Sequence, residues 1–367
     1  MTKLMTATPL EMALLKDLPR QDPVRQRLLD HGMPHRRVEE WKYSDLRRLS
    51  GPVESQGKIS VKSARTLMSV PVAQKHSPSF MAALALSLGD EGLAFAVAAE
   101  AQETLSLELS ATAGRAHKVL RFELGKGAKL TLHEIYRAHA GAFANILIQI
   151  VLGEGAELIR VIEQDDAPDA LLVVTSDIEL SPKARLHQTT LGAGAKLARL
   201  ETHVTHQGEG AEADINGAYL IAAERHLDQT TFVRHCGPHG VTREIFKGAA
   251  RAHGKGVFQG KILVEQGAQK TDAQMQHRAM LLDERAEIDV KPELEIYADD
   301  VACAHGNAMG HLDEDVLFYM RQRGLSEAEA RTLLTESFLL DPLERIPDEA
   351  LRTRLLGQLQ TRLRGQS

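Results

Sequence analysis

Gly125-Lys126-Gly127-Ala128-Lys129-Leu130 returns 28 residues later as Gly153-Glu154-Gly155-Ala156-Glu157-Leu158, and after a further 28 as Ser181-Pro182-Lys183-Ala184-Arg185-Leu186. Gly192-Ala193-Gly194-Ala195-Lys196-Leu197 is another copy, and worn copies stand at 208–213, 266–269 and 284–288, with later spacings of 16 and 18. Between the copies apolar and polar residues alternate strictly, as in Leu105-Ser106-Leu107-Glu108-Leu109, Val119-Leu120-Arg121-Phe122-Glu123-Leu124 and Leu130-Thr131-Leu132-His133-Glu134-Ile135. Period-two alternation marks strands with one buried face. In the turn, Gly permits a positive φ, Ala packs beneath it, and the next apolar residue points inward. Repeated strand–turn units read as a solenoid. A right-handed parallel β-helix fits best, with a β-sandwich as runner-up, and the irregular repeat leaves the number of coils open. These Gly-x-Gly-Ala turns lead into strands, and no Gly-Lys-Ser/Thr follows, so they do not read as phosphate loops.

Around this core the chain divides into three parts. Residues 1–75 read as a helical region, from helix formers such as Leu10-Glu11-Met12-Ala13-Leu14-Leu15 broken at Pro19, Pro23 and Gly32. The only Trp, Trp41, reads as the apolar anchor of this region. The stretch 50–79 is polar and linker-like, with Gly51-Pro52 as a break. The β-helix core is assigned to 76–304 and a helical domain to 305–367. In that domain Asp313-Glu314 suits a helix start, Gly324 a stop, and Ser326-Glu327-Ala328-Glu329 a capping box. Ala330, Leu333, Leu334 and Phe338 then share one side of the second helix. Pro347 opens a third helix with a stripe of Leu351, Leu355, Leu359 and Leu363, and Leu356 beside it. By pattern alone these helices either cap the solenoid or offer a partner a groove.

The 367 residues carry a net charge of −6 with a pI near 6.3, which gives no field for nucleic acid. Two cysteines, Cys236 and Cys303, imply no disulfide framework. The first ten residues lack the layout of a signal peptide, and no apolar run approaches the ~20 residues of a membrane span. A soluble, cytoplasmic protein is therefore expected. A β-helix enzyme acting on a carbohydrate or acyl substrate is the alternative class, because carboxylates on adjacent coils can do acid–base work. Against it stand an aromatic content of 4%, repeats that are not hexapeptides, and the lack of a Gly-x-Ser-x-Gly elbow.

Sixteen His are present, and His235-Cys236-Gly237-Pro238-His239 groups three donors. Their short spacing and the intervening Pro oppose a closed zinc site. The pair Cys303-Ala304-His305 has more weight, because two residues apart on a strand they share one face. It ends the β region at an expected turn between domains. From spacing alone, a buried Cys with a capping His competes with a ligand pair for a soft metal or cluster.

The order of motifs goes further. Leu227-Asp228-Gln229-Thr230-Thr231 precedes His235 and Pro238-His239, then Phe246-Lys247-Gly248 and Gly256-Val257-Phe258-Gln259-Gly260-Lys261-Ile262. Next come Ala268-Gln269-Lys270-Thr271-Asp272-Ala273-Gln274, Pro292-Glu293-Leu294-Glu295-Ile296 and Asp300-Val301-Ala302-Cys303-Ala304-His305-Gly306. This set, most strongly over 220–340, resembles the SufB/SufD family of iron–sulfur cluster assembly proteins, and the Glu40-Trp41-Lys42-Tyr43 box fits its N-terminal region. The SufD branch is nearer, because the Cys turn reads Cys-Ala-His-Gly and no cysteine-rich stretch occurs. The resemblance implies a non-enzymatic scaffold subunit with a right-handed β-helix core between helical regions. It implies pairing with SufB through the C-terminal part of the β-helix and docking of the ATPase SufC on the C-terminal helices, for which Leu333, Leu334 and Phe338 are the candidates. It further implies a transient cluster at the SufB interface, with His305 as a ligand shared with SufB and Cys303 as its neighbouring thiol. No cofactor is expected to stay on the isolated chain, which is open to self-pairing as a homodimer. Cys236 departs from the family pattern and receives no role.

Overall fold

The computed structural model describes residues 7–49, 53, 55–72, 79–89 and 91–365. Helices α1 (Pro9–Asp17), α2 (Pro23–His31) and α3 (Leu46–Leu49) come first, with a 3-10 turn at Glu39–Trp41 between the last two. Two short strands, β1 (Ile59–Ser63) and β2 (Met68–Val70), and helix α4 (Phe80–Leu88) follow. The repeating region begins with β3 (Gly92–Val97), β4 (Gln102–Ala111), β5 (Gly114–Leu124), β6 (Lys129–Ala138), β7 (Ala142–Leu152), β8 (Glu157–Gln164), β9 (Leu171–Leu180) and β10 (Arg185–Gly192). It continues with β11 (Leu197–His206), β12 (Glu212–Ile221), β13 (His226–His235), β14 (Val241–Ala250), β15 (Lys255–Val264), β16 (Asp272–Leu281), β17 (Glu287–Ile296) and β18 (Ala302–Gly310). Helices α5 (Glu314–Gln322), α6 (Glu327–Glu344) and α7 (Glu349–Gly365) complete the described chain.

Even-numbered strands β4 to β18 stack in one parallel sheet and odd-numbered strands β3 to β17 in the other. Each coil thus gives one strand to each face, and the protein is a mainly β solenoid of about eight turns. At the N-terminal end β1 pairs antiparallel with β4, and β2 antiparallel with β3. At the other end β17 and β18 are the last strands of their sheets.

The corner repeat has a single physical basis. In the turns that lead into β4, β6, β8, β10, β12, β14 and β16 one corner residue has positive φ: Glu100, Gly127, Gly155, Lys183, Gly210, His239 and Lys270, between 58° and 67°. Its N–H donates to the carbonyl of the next coil's turn, as from Gly127 to Glu154, Gly155 to Pro182, Lys183 to Glu209, and Lys270 to Asp300. The Ala behind it (Ala128, Ala156, Ala184, Ala211) is fully buried. The period therefore persists along this corner through 208 and 237. The copies at 192–197 and 284–288 belong to the opposite corner, before β11 and β17. The apparent shortening to 16 and 18 came from reading two corners as one series.

Three segments differ from the sequence reading. The polar stretch after residue 55 holds β1 and β2, whose antiparallel pairing closes the solenoid and gives no long apolar pattern; Gly51-Pro52 lies outside the described residues. Helix α4 lies in the segment assigned to the β core and has no helical signature in the sequence, because Met81 to Leu86 are buried all round and show no amphipathic stripe. The β region also does not stop at 304. Residues 302–310 pair with 272–280, so a boundary between 304 and 305 cuts through β18, and Cys303 and His305 lie on a strand, not in a turn.

The flanking helices cover opposite sheets. Leu10, Leu14, Leu28, Trp41 and Leu84 pack against Phe143, Leu171, Val173 and Leu197 of the odd sheet. Leu339, Leu343, Ile346, Leu355 and Leu359 of the C-terminal region pack against Val161, Leu191, Ala218, Leu220 and Ala249 on the even sheet. The cap signals stand where expected: Asp313 caps α5, and Ser326 and Glu329 form a reciprocal capping box on α6.

Candidate functional site at the open end of the solenoid

Alternation fixes what β18 shows to the solenoid interior. Its partner β16 buries Ala273, Met275 and His277, and these stand opposite Cys303, His305 and Asn307. Those three therefore share the inward side of the last rung. No further coil covers them among the described residues, so a face that is core elsewhere meets solvent here. Cys303 is half-buried against the core along with Val290 and Leu294 of β17, whereas His305 and Asn307 are exposed. The outward residues Ala304, Gly306 and Ala308 are small, and the outer edge of β18 has unpaired backbone groups. Such an edge is a template for another strand.

The imidazole of His305 has no hydrogen-bond or ionic partner among the described residues and is free to ligate. Cys303 differs. Burial raises its thiol pKa, and nearby Asp272 adds to this, against a hydrogen bond from the Ala273 backbone. The group is held as a thiol, so ligation from Cys303 requires loss of a proton.

Behind the rung lies a fixed polar row. Asn307 Oδ1 is 3.0 Å from His277 Nδ1, and His277 Nε2 is 2.8 Å from the Tyr219 hydroxyl. Burial lowers the His277 pKa to about 4, so the ring is neutral near pH 7. Phe258 stacks on it with ring centres 5.0 Å apart. In the His305 column, Met275 separates the imidazole from Glu244 one coil deeper. Glu244 is fully buried, accepts a 3.0 Å hydrogen bond from Thr231, and has its pKa pushed up to about 8 by desolvation.

The other candidates fall elsewhere. His235 and His206 stack inside the solenoid with centres 4.1 Å apart and share the Thr242 hydroxyl. Burial lowers both pKa values, His235 to about 4. Cys236 is half-exposed, and His239 forms a positive-φ corner, so the three donors of 235–239 diverge. No group of three or more His, Cys, Asp or Glu set to hold a metal occurs among the described residues. On α6, Leu333 is 46% exposed, whereas Leu334 packs toward α5 and Phe338 toward the even sheet, with Lys247 5.2 Å from its ring centre. Beside Leu333 in the exposed apolar set are Val316, Phe318 and Tyr319 of α5, which pattern reading had not selected.

Trp41 is buried, as an anchor should be, and a specific partner holds it. The fully buried Arg199 guanidinium lies 4.2 Å from its ring centre and pairs with Glu201 and Asp228. Ser44 donates to Asp228, and the Glu40 carbonyl accepts from Gln259, so residues 39–44 are pinned across β11, β13 and β15. A groove of about 840 Å³ runs beside this contact, with Asp177, Glu201 and Glu293 among its walls. Each of these carboxylates faces a basic side chain: His203, Arg199 and Lys291 respectively. The Glu201 pKa is lowered, the reverse of what a general acid needs.

The family described as SUF system FeS cluster assembly, SufBD core domain, matches residues 109–338. The iron-sulfur cluster assembly protein SufD of Escherichia coli is 30% identical, over 93% of this chain and 92% of its own length. An iron-sulfur cluster assembly SufBD family protein of Synechocystis is 35% identical over 58% of this chain, and the match spans about half (47%) of that relative. SufD of Bacillus subtilis is 27% identical over 43% of this chain.

Proposed function

The chain belongs to the SufBD family of iron–sulfur cluster assembly proteins, and from that premise we propose that it is a non-catalytic, SufD-like scaffold subunit. In this reading the open rung at β17 and β18 meets the β-helix of a SufB subunit. A nascent cluster forms between them as cargo, with the His305 imidazole as this chain's ligand and Cys303 as a second donor after deprotonation. Neutral imidazole and thiolate are both established ligands of iron–sulfur clusters. Two donors cannot complete a cluster, so the remaining ligands come from the partner. The observation that carries the reading is His305, without a partner among the described residues, on an edge strand whose outer side has no neighbouring strand there, in a family of cluster assembly proteins.

SufC, the ATPase, docks in this proposal on the C-terminal helices. The exposed Leu333, Phe318 and Tyr319 suit contact with it. Leu334 and Phe338 act indirectly, by seating α6. The cluster is transient, and the isolated chain holds no cofactor stably. The same edge allows a homodimer when SufB is absent. A cytoplasmic site of action accords with this role, and no helix among the described residues is long and apolar enough to cross a membrane.

The test is co-purification with SufB and SufC, wild type against His305→Ala, with anaerobic iron and sulfide analysis. The expected result is an intact complex in both and loss of cluster in the variant. A chain that ignores both partners, or a variant that accumulates cluster as wild type does, overturns the proposal.

A further inference from the structure

The row Tyr219–His277–Asn307 spans four rungs of the even sheet, from β12 to β18, and ends two residues from His305. Its geometry is built in at each step. Tyr219 on β12 stands opposite Gly248 on β14, which stands opposite Ala279 on β16. A Cβ on Gly248 would lie 1.7 Å from the tyrosine ring, and one on Gly256 would lie 2.9 Å from it. The two glycines therefore clear a slot through which the phenol passes over one whole coil. Its hydroxyl meets His277 Nε2 at 2.8 Å, and Phe258 covers the His277 ring with an interplanar angle of 6°.

The direction of the hydrogen bonds follows from the groups involved. A carbonyl oxygen such as Asn307 Oδ1 can only accept, so His277 Nδ1 carries the ring proton and donates outward. Nε2 of the neutral ring is then the acceptor, and Tyr219 donates to it. The phenol is the fixed inner end, since its burial raises its pKa far above the physiological range. The Asn307 carboxamide is thus held with its oxygen inward. Its NH2 group has no partner among the described residues and faces the open rung beside His305.

We propose that Asn307 is a hydrogen-bond donor to the anionic sulfur, thiolate or bridging sulfide, of a cluster nucleating at His305, and that Tyr219 and His277 are its positioning residues. The inference rests on the assembly-site reading above and adds to it a group that recognises sulfur rather than iron. Hydrogen bonds to cluster sulfurs stabilise their charge and tune the electronic structure. They also favour the charged acceptor over water-exposed alternatives.

The test compares four complexes of this chain with SufB and SufC: wild type, Asn307→Asp, Tyr219→Phe and His305→Ala. Asn307→Asp retains an acceptor for His277 and removes the NH2 donor; Tyr219→Phe keeps the ring in its slot and removes the hydroxyl. Cluster formation in Asn307→Asp should slow about tenfold, the worth of one hydrogen bond to a charged acceptor. Its sulfur-to-iron charge-transfer bands should move to longer wavelength, and Tyr219→Phe should move them the same way by less. Thermal unfolding of the free variants separates a folding loss from these effects. If His305→Ala abolishes the cluster while Asn307→Asp and Tyr219→Phe match wild type in rate and band position, the donor role is refuted and the assembly site stands. If His305→Ala itself matches wild type, the assembly-site reading fails and this inference falls with it.

Discussion

Glu244 should make the stability of this protein fall as pH rises through neutrality. Its carboxyl is fully enclosed, one oxygen accepts from Thr231, and the other has no partner among the described residues. Desolvation raises its pKa from 4.5 to about 8, with the Thr231 bond working in the opposite direction. Between these two values the folded protein holds a proton that the unfolded chain has released. Folding therefore takes up a proton, and stability is lost from the unfolded pKa upward until the folded group ionises. Each unit is worth about 1.4 kcal/mol, so raising the pH from about 6.8 to 8.5 costs the wild type roughly 1.5–2 kcal/mol from this group alone. The buried imidazoles do not mask the effect. His117, His226, His235 and His277 have pKa values lowered to about 4, so they oppose folding only as pH falls below the ordinary histidine range. Glu244→Gln keeps the shape and the capacity to accept from Thr231 but cannot ionise. Urea unfolding of both proteins at the two pH values checks this: the variant's loss between them should be smaller by that amount. An equal loss in the variant, or a flat wild type, would refute the assignment of the buried charge.

Three other outcomes follow from the packing. Arg160→Met strands Glu134, which otherwise accepts from Arg160 at 3.1 and 2.7 Å with no exposure on either side chain; about 3–5 kcal/mol should be lost in denaturant unfolding. Lys183→Gly relieves a positive-φ corner (φ 59°) whose equivalents include Gly127, Gly155 and Gly210, and should raise the unfolding free energy by about 0.5–1 kcal/mol after the entropy of glycine is discounted. Leu333→Asp should leave the thermal midpoint nearly unchanged and, on the docking proposed above, weaken SufC capture. Phe338→Asp should lower the midpoint itself, since that ring packs under Lys247 and against the even sheet; equal midpoints for the two variants would contradict the inward placement of Phe338.

The parts of the fold that sequence exposed are those that local chemistry repeats. A corner needs a residue tolerant of positive φ, a small residue beneath it and an apolar residue to re-enter the core, so 125–130 and its copies could be read directly. The C-terminal caps were legible for the same reason. What escaped notice depends on partners distant in the chain. The extent of β18 was hidden because Ala302 to Gly310 lies on a terminal rung and has no apolar alternation to display. Cys303 and His305 could be selected by their spacing, but the protonated state of Cys303 depends on burial and on Asp272, 31 residues earlier in the chain. The Tyr219–His277–Asn307 row links residues 58 and 30 positions apart, and only the coil register brings them together. Arg199 gave no signal either, though the lone Trp41 was a hint that something must cover it.

The antiparallel closure of β1 and β2 on the first coil gives the solenoid a direction in time. A parallel coil buries its strands only when a neighbour is already in place, and stacked units add to one another by nearest-neighbour contact. The two closing strands precede the coils in the chain, so a ribosome releases the finished base first and each later coil settles on a completed one. The rung bearing His305 is the last to be laid down. A truncated or stalled chain thus has every coil it has made but lacks the rung that carries His305.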